Sequence, residues 1–159
     1  MNPDDEQKFA IAISVAIELI VKLDGEATAE RAAADHEVFR DSLKRVVANE
    51  AATAVACRDV ARARLEILTK YQNKEAALQT YRGINEAVVE TSIHADNVRI
   101  IAALDSAAYA DHLAKAGEAE KSAADYLYEA LTALGLNEKD AQEIMAQVLT
   151  FFSRSDSQH

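Results

Sequence analysis

AERAAADHEVFRDSLKRVVANEAATAVACRDVARARLEILTKYQNK, residues 29–74, decides the fold. The run contains no Pro and no Gly, the residues that cost most inside a helix. At about 100° per residue, Phe39, Leu43, Val46, Cys57, Val60, Leu68 and Tyr71 fall on one stripe. Arg40, Lys44, Arg58 and Arg62 fall on the opposite one. The pattern predicts an amphipathic helix from Ala29 to about Gln72, either unbroken or kinked near Asn49.

An oily stripe of that length needs other helices to cover it, and the flanking sequence supplies them. Upstream, Asn2 is a good N-cap, Pro3 suits the first helical position, and the acids at 4–6 complement the positive end of a helix dipole. This helix should run to Leu23 and end at Asp24-Gly25. Phe9, Ile11, Ile13, Val15 and Ile17 alternate with smaller residues, a period that would also suit a strand. Helix is the preferred reading, because alanine fills most of the gaps and no second strand candidate exists to pair with it.

Downstream, a helix is expected from Lys74 to Ala116, with Gly83 as a possible bend and Gly117 as its stop. Tyr81, Ile84, Val88, Ala95, Val98, Ala102 and Tyr109 form its apolar face, and from Val98 to Leu104 the apolar character spreads nearly all round. A helix over Glu118–Leu134, closed by Gly135, should follow. The last one opens at Asn137 and continues through Phe151, before a polar tail at 153–159 that is expected to fray. No internal repeat and no sustained heptad is evident. The fold expected is therefore all-α: a single domain over residues 1–159, a helical bundle of about five helices, two of them long, with mostly antiparallel neighbours.

At 159 residues the chain can bury a core without staples. Its single cysteine, Cys57, cannot form an internal disulfide, and acids stand at the N-terminus where a signal peptide would carry bases, so a cytoplasmic location is expected. The apolar run from Phe9 to Val21 is too short to span a bilayer and is interrupted by Glu18, so no membrane partner is expected. A net charge of −10 disfavours nucleic acid for the same electrostatic reason that it disfavours anionic lipid. That charge is uneven: residues 1–37 carry −6, 38–74 carry +4, 75–116 carry −3 and 117–159 carry −5.

Few residues suggest chemistry. Glu50 and Arg64 break the apolar stripe of the long segment, where a charge is costly unless paired, and Glu18 is a candidate partner for Arg64. Glu86, Glu90 and His94, with Asp105 and His112 further along the same side, are candidate metal ligands. A di-iron bundle would need Glu-x-x-His pairs, however, and none occurs. The glycines are isolated, so no phosphate loop exists, and no spacing marks a nucleophile or a cofactor. The basic stripe Arg40, Lys44, Arg58 and Arg62 reads as an interaction surface.

The function expected is that of an acidic protein-interaction module, an adaptor, regulator, chaperone or inhibitor. It would present helix faces to a protein partner, a basic one suiting its acidity, and would itself form a homodimer. The alternatives are a helical-bundle enzyme or metal carrier using carboxylate and histidine groups, and an acidic mimic of nucleic acid.

Overall fold

Asn2 caps the first helix as its residue type predicts: its Oδ1 accepts a hydrogen bond from the Asp5 amide at 2.8 Å, with Pro3 next in line. In this computed structural model, which describes residues 2–70 and 74–135 together with 139, 142, 143, 145 and 146, the described residues form α1 (Pro3–Asp24), α2 (Glu26–Ala34), α3 (His36–Lys70), α4 (Lys74–Ala102) and α5 (Ala110–Ala133). Of the expected helix after Asn137, residues 139, 142, 143, 145 and 146 are described and helical, and Met145 joins the core; the rest of it, the tail and Tyr71 lie outside the described residues. The alternating stretch in residues 9–21 is helical, and no strand occurs among the described residues.

Three boundaries differ from expectation, each for a local reason. The 29–72 segment does not kink at Asn49; it breaks at Asp35, which adopts an extended conformation (φ −130°, ψ 118°). Its carboxylate accepts from the Glu37 amide at 2.9 Å and the Val38 amide at 3.3 Å, which makes it the cap of α3 and leaves α2 as a short separate helix. The helix from Lys74 ends at Ala102 rather than Ala116. A turn follows, in which the Leu104 amide donates to the Ile101 carbonyl and the Asp105 carboxylate accepts from the Ala108 amide. Gly117 consequently lies inside α5 and stops nothing, and α4 continues through Gly83.

Two apolar clusters fix the topology. One joins the N-terminal half of α3 to the C-terminal half of α4, the start of α5, α1 and α2. The other joins the C-terminal half of α3 to the N-terminal half of α4 and the rest of α5. Helices α3 and α4 are thus antiparallel, as are α4 and α5, and the α1–α2 pair covers one end only. That extra cover explains why Val98, Ile101 and Ala102 are all buried although they point in different directions from α4.

The buried positions step by four and three residues alternately. Along α4 they are Ile84, Val88, Thr91, Ala95, Val98 and Ala102; along α3, Val47, Ala51 and Ala54, then Ala61, Leu65 and Leu68. This is the heptad seam that the sequence conceals behind alanine. Of the stripe read from the sequence, Leu43, Val46 and Leu68 are buried, Phe39 and Cys57 are half-buried, and Val60 is 42% exposed.

Candidate functional site

Beside the first apolar cluster, toward its junction with the second, the bundle carries a set of paired polar groups. On the α3–α4 side the buried Glu50 carboxylate receives Nδ1 of His94 at 2.5 Å and Nδ2 of Asn97 at 3.2 Å. On the α4–α5 side Glu120 accepts from Ser92 Oγ at 3.1 Å and from Arg99 Nη2 at 2.9 Å, while Arg99 also donates to Asp96. Among the described residues no buried side-chain nitrogen or oxygen lacks a partner. Desolvating these groups is therefore compensated by hydrogen bonds.

The two charged residues that interrupt the apolar stripe of α3 have different partners. Glu50 is buried and held by His94. Arg64 is half-buried and donates through Nη1 to the Gly83 carbonyl at 2.6 Å, an approach that glycine permits because an added Cβ would lie 3.2 Å from Arg64 Cδ. Glu18, expected in the interior opposite Arg64, is exposed on α1, which packs at the other end of α3. Of the candidate metal ligands, His94 turns to Glu50, Glu86 is exposed, and Glu90 lies 3.9 Å from the Cys57 sulfur. No three of the described His, Cys, Asp and Glu residues are grouped to hold a metal ion.

The hydrogen bond to Glu50 is the main reason that the His94 imidazolium is favoured, its pKa standing above the ordinary histidine value; desolvation and Lys22 oppose it, and Glu90 adds to it. Burial pushes the Cys57 thiol up, and the Glu90 and Glu50 carboxylates push the same way. Cys57 is thus a poor nucleophile. Arg99 keeps its charge against desolvation because Glu120 and Asp96 hold it.

A second feature is open to solvent. At the end covered by α1 and α2, an apolar groove of about 680 Å³ runs between α1, the α2–α3 junction and the turn after α4. Phe9, Ile13 and Ile17 form one wall, at successive turns of α1, and Phe39, Leu104 and Tyr109 form the other. Phe9 is 45% exposed at its mouth. The acids on the groove, Asp35 and Asp105, are occupied with backbone amides. Arg40, also on it, makes no ion pair among the described residues, and neither does the nearby Lys44, one turn further along α3. The remaining members of the basic stripe serve elsewhere: Arg58 donates to Asp59, and Arg62 donates to the Tyr126 hydroxyl at 2.9 Å with its guanidinium 5.6 Å from that ring's centre.

The sequence offered no direct sign of the groove, since it arises where three chain-distant segments meet. No described helix is long and apolar enough to cross a membrane. Compared with protein-family models, with curated proteins and with solved structures, the chain matches none.

Proposed function

We propose that this chain is a helical protein-interaction module that works by pairing helix faces, and that it associates with a second copy of itself through α1 and the groove beside it. The observation that supports the reading is Phe9: a large aromatic ring, half exposed, at the mouth of an apolar groove whose wall it continues. Every residue from Asn2 to Ala10 is exposed, so the first turns of α1 stand clear of their own bundle, with Ile11 and Ile13 only partly covered behind them. A twofold arrangement would use each α1 twice, once as the inserted helix and once as the groove wall, and so would double the apolar area removed from water. The acidic remainder of the surface suits a basic protein as a further partner and would speed encounter with it.

Size-exclusion chromatography with light scattering tests the reading. The expected result at high micromolar concentration is twice the chain mass of 17.3 kDa, falling to the single-chain mass for Phe9→Asp. A wild-type protein that stays at the single-chain mass overturns it.

A further inference from the structure

Resting on that reading, we propose that the occupant of the groove is the acidic first turn and following apolar turn of the second copy's α1, held in register by Arg40 and Lys44. The groove selects for a helix with an apolar body and an anionic head. Its walls are apolar, its carboxylates are already engaged, and Arg40 on it, with Lys44 one turn away, makes no ion pair among the described residues. Helix α1 has that composition: Asp4, Asp5 and Glu6 lead directly into Phe9 and Ile13.

The spacing also closes on itself. In an antiparallel α1 pair with the twofold axis at Ile11, Phe9 of one copy lies level with the partner's Ile13, and the partner's Asp5 lies level with Ile17. Ile17 and Arg40 line the same groove, so this register carries the partner's acidic first turn into the groove that Arg40 lines. No ion pair joins α1's own acids to Arg40. In a twofold dimer the contact occurs twice, and opposite charges at both ends set the direction in which the two helices run.

A charge-swap experiment on the full chain tests this. One variant carries Arg40→Glu with Lys44→Glu; the other carries Asp4→Lys, Asp5→Lys and Glu6→Lys. Each alone should dimerise at least about tenfold more weakly than the wild type, since like charges then face each other at both contacts. The two mixed in equal amounts should form a heterodimer of near wild-type affinity, because each contact regains opposite charges. Far-UV circular dichroism of both variants checks that they are folded; the substituted side chains are exposed, so they should be. Separate variants that dimerise as well as the wild type, or a mixture that gains nothing, overturn the register and leave the self-association reading standing. A wild-type chain that is monomeric removes both.

Discussion

Replacing His94 with alanine would leave the Glu50 carboxylate, in a side chain 8% exposed, with Asn97 as its remaining donor at 3.2 Å. Removing one member of a fully buried charged pair costs about 3–5 kcal/mol. The imidazole here is 28% exposed, and Asn97 still donates, which together bring the expected loss to about 2–3 kcal/mol. For a chain of this size each kcal/mol corresponds to about 2–4 °C, so the melting temperature should fall by about 4–12 °C.

The loss should depend on pH in a definite direction. The folded-state pKa of His94 is raised, chiefly by its hydrogen bond to Glu50. Its contribution is therefore fully present below the unfolded value of about 6.5 and declines as pH rises through the folded value. Urea denaturation of wild type and His94→Ala at about pH 5.5 and about pH 9 should show a gap that narrows at the higher pH. It should not close, because neutral imidazole still donates through Nδ1. A gap below about 0.5 kcal/mol at the lower pH, or one that widens as pH rises, would refute the assignment of Glu50 and His94 as a coupled pair. The combined change of Glu50 and His94 to leucine should lie within about 1 kcal/mol of wild type, since an apolar pair removes the desolvation cost along with the attraction.

Two helical glycines should respond differently to alanine. At Gly117, which has nothing within 4 Å of an added Cβ, Gly117→Ala should stabilise by about 0.5–1 kcal/mol; at Gly83→Ala the Arg64 side chain, 3.2 Å away, must give way and the gain should be absent or reversed in thermal melts. Asp35→Ala should cost about 1 kcal/mol by uncapping α3, and Asp35→Asn should recover most of it. Cys57 should react with iodoacetamide more slowly than free cysteine at neutral pH, with its thiolate appearing only above the ordinary thiol range; alkylation as fast as that of free cysteine would contradict its placement beside Glu90.

Local chemistry alone determined much of this molecule. Asn2 and Pro3 place the start of α1, Gly25 its end, and the long run without Pro or Gly dictates an all-helical chain, because these effects act within one turn of backbone. Glu50 and Arg64 were legible as exceptions because a charge on an apolar stripe is visible in one dimension. Their partners were not. His94 is 44 residues away from Glu50 and Gly83 is 19 from Arg64, and only the antiparallel crossing of α3 and α4 brings them together.

The seam itself was hidden for a related reason: alanine at 51, 54, 61 and 95 looks neutral in sequence, and becomes core only when another helix lies close enough to bury a methyl group. Asp35 and the turn after Ala102 carry side chains that accept from following amides, but whether such a local bond ends a helix depends also on α2 and α5 packing back against α3 and α4, which one dimension does not show. The groove is the extreme case. Its walls come from α1, α3 and the turn before α5, so it exists only as a consequence of how whole helices are placed.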